Sequence, residues 1–385
     1  MKNFEFHNPT RIVFGLDTVA KLSTLVPHDA RVLILYGGAS AEKTGTLAEV
    51  RAALGQRTVQ EFGGIEPNPS YETLMRAVAQ VRSAKLDFLL AVGGGSVIDG
   101  TKFVAAAALY DGEPWEIAER GGANVRQALP FGTVLTLPAT GSEMNSGGVV
   151  TKKATHDKLS FRNPLLYPQF SVLDPSKTFT LPATQVANGV VDAFVHTTEQ
   201  YLTYPVQAMV QDRFAEGLLQ TLVEIAPQAV ASPDDYATRA NLMWTATLAL
   251  NGLIGAGVPQ DWATHMIGHE LTALYDIDHA RTLALVLPAL LDVQREQKRG
   301  KLLQYGERVW NITQGSEGER IDAAIARTRA FFEGLGIPTR LSAYQLGQEA
   351  VEAVLKQLEV HGMTALGEHR EIDLARRRRI LEAAL

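Results

Sequence analysis

Three short runs in the first half of the chain, Arg31-Val-Leu-Ile-Leu-Tyr36, Asp87-Phe-Leu-Leu-Ala-Val92 and Gly132-Thr-Val-Leu-Thr-Leu137, are apolar at nearly every position rather than at alternate ones. A strand with one face in water alternates apolar and polar residues, whereas a strand apolar on both faces has to be covered on both. Such strands belong to parallel sheets with helices over each side, and the helical stretches and Gly or Pro punctuation between the runs supply the crossovers. This half is expected to be an α/β domain. Beyond Asp174-Pro-Ser-Lys-Thr-Phe-Thr-Leu-Pro182 the pattern lengthens to helical periods, as over 183–203, 207–230 and 239–252. Pro182 suits the first turn of the helix that follows, so the Pro/Thr-rich segment is the expected boundary. The predicted domains are 1–178, α/β and nucleotide-binding, and 179–385, all-helical.

Composition removes several function classes. With no cysteine, disulfides, thiolate metal sites and cysteine nucleophiles are excluded, so any metal must be held by His, Asp or Glu. Lys plus Arg number 36 against 42 Asp plus Glu, and the one basic run, Arg376 to Arg379, reads as a solvated helix face. Nucleic acid is therefore not an expected partner. No stretch reaches the roughly 18 uninterrupted apolar residues of a membrane span, and the first residues lack the apolar core of a signal peptide. A cytoplasmic location without membrane attachment is expected.

The strand ending at Val92 runs into Gly93-Gly-Gly-Ser-Val-Ile-Asp-Gly-Thr-Lys102. Glycines between a strand and a helix let the backbone approach a phosphate, and the helix N-terminus favours its charge. A tight turn would need one or two glycines; three, followed by Ser96 and Asp99, point to a pyrophosphate cradle. A second pair, Gly37-Gly38-Ala39-Ser40, follows Tyr36. An acidic side chain near such a strand end holds a ribose 2′-hydroxyl and repels a 2′-phosphate. Ala39 and Ser40 stand there instead, which favours NADP(H) over NAD(H). The hydroxyl-rich loop Thr136-Leu-Pro-Ala-Thr-Gly-Ser-Glu143 reads either as a ligand contact or as a cap for the next helix.

Three of nine histidines fall within Gln260 to His279. Residues four apart share a helix face, so His265 and His269 project together, as do Asp192 and His196. A lone histidine is more often a satisfied or solvated one. Asp192, however, stands among Val190, Val191, Ala193, Phe194 and Val195, where a carboxylate is expensive to bury unless paired or coordinating. With His279, expected in a loop beyond a helix, these residues can surround one divalent cation, Fe2+ or Zn2+.

Taken together, Gly93 to Lys102, Leu137-Pro-Ala-Thr-Gly-Ser-Glu143, the Asp192…His196 helix and the His265…His269…His279 cluster resemble the iron-dependent (group III) alcohol dehydrogenase family. Stretches such as Glu61-Phe-Gly-Gly-Ile-Glu-Pro-Asn-Pro69 and Gly255 to His265 look like its subgroup of NADPH-dependent aldehyde reductases and butanol dehydrogenases. The resemblance implies a Rossmann-like parallel-sheet domain followed by a helical metal-binding domain, an architecture shared with dehydroquinate synthase. It implies metal ligands Asp192, His196, His265 and His279, with His269 near the substrate as a candidate proton donor. Gly94, Gly95, Ser96 and Asp99 would meet the pyrophosphate and ribose, and Gly38 and Ser40 the adenosine side. Asn68, Thr136, Asn145 and Lys158 fall where the subgroup touches its cofactor. A homodimer is also implied.

The expected chemistry is metal-assisted hydride transfer between NADP(H) and an aldehyde or primary alcohol. Three other readings are a dehydroquinate synthase-like lyase, an NAD-dependent diol or alcohol oxidoreductase, and a non-catalytic nucleotide- or metal-binding protein. The lyase is disfavoured because its family holds the metal with two His and one Glu. Trp262, Ile267 and Tyr275 read as cleft lining or as core.

Overall fold

The computed structural model describes all residues 1–385. Its eight strands are β1 (Arg11–Phe14), β2 (Arg31–Tyr36), β3 (Thr58–Phe62), β4 (Phe88–Gly94), β5 (Phe131–Leu137), β6 (Gly147–Lys152), β7 (Asp157–Arg162) and β8 (Phe170–Leu173). Six form one sheet in the order β1-β8-β5-β4-β2-β3, parallel throughout, while β6 and β7 make a separate antiparallel hairpin. The expected α/β sheet is present, and the chain beyond residue 183 contains helices and no named strand.

Both faces of the sheet are buried because successive residues feed different cores. Val32, Ile34, Leu90 and Val92 pack with Leu47, Val50 and Leu54 of helix Thr46–Leu54 on one side. Leu33, Leu35, Leu89 and Ala91 pack on the other with residues of helices Tyr71–Ala84 and Gly95–Ala107. This two-sided burial is what the unbroken apolar runs required. From β2 the chain steps to β3 at one edge, then crosses back to β4 and on to β5 in the opposite direction. The ends of β2 and β4 therefore mark the point where strand order reverses, where ligands of open parallel sheets bind.

The chain forms two compact units, one of His7–Pro182 with Ser232–Thr247, the other of Met1–Phe6, Ala183–Ala231 and Leu248–Leu385. The contiguous expectation of 1–178 and 179–385 differs from this division in Met1–Phe6, in Ser232–Thr247 and in the boundary residues 179–182. Helix Tyr236–Ala249 follows the sheet unit up to Thr247 because Met243 enters the core over helix Gly95–Ala107, and the Thr247 hydroxyl donates to Glu143 Oε1 at 2.5 Å. Residues Met1–Phe6 follow the helical unit, where the Lys2 amide donates to the Gly257 carbonyl at 2.9 Å. No helix is long and apolar enough to cross a membrane.

Candidate metal centre and cofactor cradle

In the sheet unit, Gly93 and Gly94 end β4 and Gly95 opens the helix Gly95–Ala107. None of the three has a left-handed φ, so a turn is not what demands them. Close approach does. A Cβ on Gly93 would stand 2.5 Å from Val97 Cγ2, on Gly94 2.9 Å from Leu137 Cβ, and on Gly95 2.4 Å from Thr140 Cγ2. The end of β4 thus carries bare backbone N–H groups at the start of a helix long enough to present a dipole. Tyr36 pairs with Val92 and Gly94 with Leu137, so the turns after β2, β4 and β5 lie side by side at one sheet edge. Gly38, with Ser40 just beyond it, has nothing within 4 Å of its absent Cβ.

The hairpin brings in the cation. Lys158 pairs with Thr151, whose amide donates to the Pro69 carbonyl, and this register sets Lys158 Nζ 2.9 Å from Asn68 Oδ1. Asn68 itself takes φ 54°, and its amide donates to Ser96 Oγ at 3.3 Å. Asn68, Ser96 and Lys158 are therefore connected, with Lys158 buried at 5% exposure. Thr136 lies at the end of β5, half-buried.

Two expected contact residues are already engaged inside the protein. The carboxylate of Asp99 accepts from Ser142 Oγ at 2.6 Å and from the Val149 amide at 3.0 Å. Asn145 Oδ1 accepts from Lys102 Nζ at 2.9 Å and from the Gly147 amide at 3.0 Å, while its Nδ2 donates to the Gly141 carbonyl. Lys102 is fully buried and gives its remaining donors to Ser142 Oγ and the Gly147 carbonyl. Three acceptors match the three N–H bonds of an ammonium. Burial pushes the Lys102 pKa down to about 7, against the opposing charges of Asp99 and Glu143. Burial likewise raises Asp99 and Glu143 above the ordinary carboxylate range.

In the helical unit, helix Ala183–Tyr201 presents Asp192 and His196 one turn apart, and helix Ala263–Tyr275 presents His265 and His269 in the same way. His279 is the first residue of helix His279–Val293 rather than part of a loop, because Asp278, at φ −48° and ψ 135°, stands outside the helical region as its N-cap. Asn188 Nδ2 donates to Asp278 Oδ2 at 2.9 Å, tying this start to the Asp192 helix. Gly268 lets the two histidine helices close up, since a Cβ there would be 3.0 Å from both Leu283 and Thr282.

Around Asp192 Oδ1 stand Nε2 of His196 at 3.6 Å, of His265 at 3.9 Å and of His279 at 3.9 Å. Asp192, His265 and His279 form a set whose donor atoms all lie within 4.8 Å of one another. His196 joins through Asp192 and by stacking on His265, with ring centroids 4.6 Å apart. Donors about 2.1 Å from a tetrahedral ion stand roughly 3.4 Å from each other, close to these separations. Asp192 Oδ1 is buried and accepts no hydrogen bond, a costly state unless a cation lies among these groups. One carboxylate and three imidazoles fit Fe(II) or Zn(II). His269 is buried, its ring centroid 5.1 Å from that of His279. Trp262 packs on His265 at 5.3 Å, Ile267 is core, and Tyr275 is half-buried.

Glu199 is the site residue that reading the sequence left without a role. It is buried beside the imidazole of His265. Its signal was available: positions 192, 196 and 199 follow the i, i+4, i+7 stripe of one helix face.

This combination, a glycine-lined cradle on a parallel sheet and a carboxylate-imidazole cluster on helices, is that of a metal-dependent dinucleotide oxidoreductase, and the chain belongs to the iron-containing alcohol dehydrogenase family. The family model for iron-containing alcohol dehydrogenase matches residues 9–175, and that for the C-terminal part of the family matches 186–385. The chain is 63% identical over 386 residues, covering 100% of both chains, to the NADPH-dependent aldehyde reductase YqhD of Escherichia coli. It is 41% identical to a probable NADH-dependent butanol dehydrogenase of Bacillus subtilis, covering 94% of this chain and 95% of that one. Among solved structures it is similar to Escherichia coli YqhD at a TM-score of 0.99 and 62% identity, covering 100% and 99% of the two chains. It is also similar to NADH-dependent butanol dehydrogenase A of Thermotoga maritima at 0.95 and 35% identity, again covering 100% and 99%.

Proposed function

We propose that this chain is an NADP(H)-dependent oxidoreductase that reduces aldehydes to primary alcohols and catalyses the reverse reaction. The observation that carries the reading is the buried Asp192 carboxylate faced by three imidazole nitrogens, in a chain 63% identical to an NADPH-dependent aldehyde reductase. Asp192, His196, His265 and His279 hold one divalent ion, Fe2+ or Zn2+. When bound, the ion supplies a Lewis acid for the aldehyde oxygen and NADPH supplies the hydride.

The remaining roles belong to the chain's own groups. Gly94, Gly95 and Ser96 give the pyrophosphate backbone N–H groups and a hydroxyl, and Asp99 faces the ribose with whatever acceptor capacity Ser142 and Val149 leave it. Gly38 and Ser40 admit the adenosine end without an acidic side chain against a 2′-phosphate. Asn68, Thr136, Asn145 and Lys158 complete the cofactor contacts. His269, beside His279, is the candidate to deliver the proton that the product hydroxyl needs.

The domain assignment of 1–178 to the cofactor and 179–385 to the metal follows the same reading. A cytoplasmic setting suits a reductase that draws on the cellular NADPH pool. A homodimer is supported by β1, which pairs with β8 on one side only, and by the adjacent exposure of Phe14 at 40% and Leu16 at 57%. Beside them, Ile12, Phe14, Ala240, Asn241 and Trp244 line a cavity of about 260 Å³. Sedimentation at micromolar concentration tests this, and a monomer would remove it.

Butanal with NADPH, followed at the nicotinamide absorbance, tests the reaction. Net stoichiometric oxidation of NADPH, faster than with NADH, is expected. A cofactor that cycles without net consumption would instead favour lyase chemistry.

A further inference from the structure

Glu199 is buried at 3% exposure on the same helix face as Asp192 and His196, and both of its oxygens face the helix that carries His265. Oε1 accepts the Thr264 amide at 2.7 Å and the His265 amide at 3.3 Å. Oε2 meets Nδ1 of the His265 imidazole. The carboxylate therefore does two things at once. It occupies the N-terminus of helix Ala263–Tyr275, where the N-cap residue Trp262 forms no side-chain cap, and its second oxygen stands against Nδ1 of the ring.

A ring that gives its Nδ1 proton to a carboxylate keeps a lone pair on Nε2, the atom that faces Asp192 at 3.9 Å. With Nδ1 as acceptor instead, the proton would sit on Nε2 and point at the cluster. Behind Glu199 the same segment is fixed again. The Asp261 amide donates to the Glu199 carbonyl at 2.9 Å, and Asp261 Oδ1 accepts the Ala263 amide at 3.0 Å. Buried Lys298 bridges Asp261 at 2.8 Å and Glu368 at 2.9 Å, and donates to the Leu202 carbonyl at 2.7 Å. The loop before His265 is thereby held to both ends of the Glu199 turn.

We propose that Glu199 is a positioning residue for the metal: it fixes the tautomer and direction of the His265 ring by binding that ring and its helix N-terminus with one carboxylate. This rests on His265 being a metal ligand. Glu199→Gln discriminates sharply, because a carboxamide has one acceptor end and one donor end. Whichever way it turns, an N–H group meets either the amides of Thr264 and His265 or the imidazole Nδ1–H.

The test is affinity for Zn(II) and Fe(II) added to chelator-stripped full-length protein, by competition with a chromophoric chelator, alongside thermal unfolding of the metal-free forms. Glu199→Gln is expected to lose about 10–100-fold in metal affinity, as outer-sphere partners of ligating histidines generally do, with a fall in the metal-free unfolding midpoint too small to account for that loss. Glu199→Asp keeps the charge but cannot span ring and helix, so it should lose affinity as well, and it serves should the amide variant fail to fold. In long-range proton–nitrogen spectra the wild-type His265 ring should carry its proton on Nδ1, and Glu199→Gln should populate the other tautomer. Wild-type affinity in both variants, or affinity lost in step with metal-free stability, overturns the proposal. His265→Ala separates the two layers: undiminished affinity there removes the ligand reading itself, whereas lost affinity there with intact Glu199 variants removes only the role of Glu199.

Discussion

Oδ1 of Asp192 lies 3.6 Å from Nε2 of His196, one turn further along the same buried helix face. Taken alone the pair would be an internal salt bridge. Nε2 of His265 and of His279 at 3.9 Å from the same oxygen make it the centre of a donor cluster.

Removing one donor should therefore be felt first as lost metal. Outer-sphere partners cost about 10–100-fold in affinity, so Asp192→Asn or His279→Ala is expected to cost more than about 100-fold. Metal content after gel filtration in chelator-containing buffer checks this, and full occupancy in either variant would contradict the assignment.

On the proposed reading, cofactor choice turns on the loop after β2, where Gly38 faces open space and Ala39 has no charge. Ala39→Asp places a carboxylate against a 2′-phosphate, a like-charge contact of order 1–4 kcal/mol at 4 Å and effective dielectric constants between water and protein surface. The KM for NADPH should rise at least about tenfold while that for NADH stays within a factor of a few. Equal effects on both cofactors would place the loop away from the adenosine ribose.

Much of this was legible in the chain itself, for reasons that differ by element. The runs at Arg31, Asp87 and Gly132 declared themselves because burial on both faces leaves no polar alternation, and they appear as β2, β4 and β5. Asp192, His196, His265 and His269 were found because helical spacing is local. The hairpin β6–β7 was not anticipated: its turn contains no glycine, and His156 supplies the left-handed φ of 58° instead. Lys158 reaches Asn68 only through that hairpin's register, a contact 90 positions apart in the chain. The allegiance of residues up to Thr247 to the sheet unit likewise depends on Met243 and Glu143, which no local pattern reveals.

Lys102 gives a pH dependence with a definite sign. Its pKa is near 7 when folded and about 10.4 in an unfolded chain. Between these values unfolding takes up a proton, so this group makes stability rise with pH, by up to about 1.4 kcal/mol per unit. Lys102→Met lacks the contribution. Urea unfolding at pH 7.5 and 9.5 should show the difference between wild type and variant moving in favour of wild type at the higher pH. A constant difference would mean that Lys102 keeps its proton throughout.

Gly132 pairs with Phe170 across β5 and β8, and a Cβ there would sit 2.2 Å from the Phe170 ring. Phe170 is stacked on Phe88 at 6.1 Å, so it has little room to withdraw. Gly132→Ala is expected to cost about 1–3 kcal/mol as an overpacked core does, lowering the thermal midpoint without altering the cofactor preference. An unchanged midpoint would show that the sheet yields there.

The most direct test of the central claim strips the protein with chelator, restores it separately with Fe(II), Zn(II) or nothing, and follows NADPH oxidation with butanal. Activity that is absent without metal, returns with at least one of the two ions, and fails to return in His279→Ala is the predicted result. Full NADPH-dependent reduction by the stripped protein would contradict a metal-dependent reductase built on Asp192 and its three histidines.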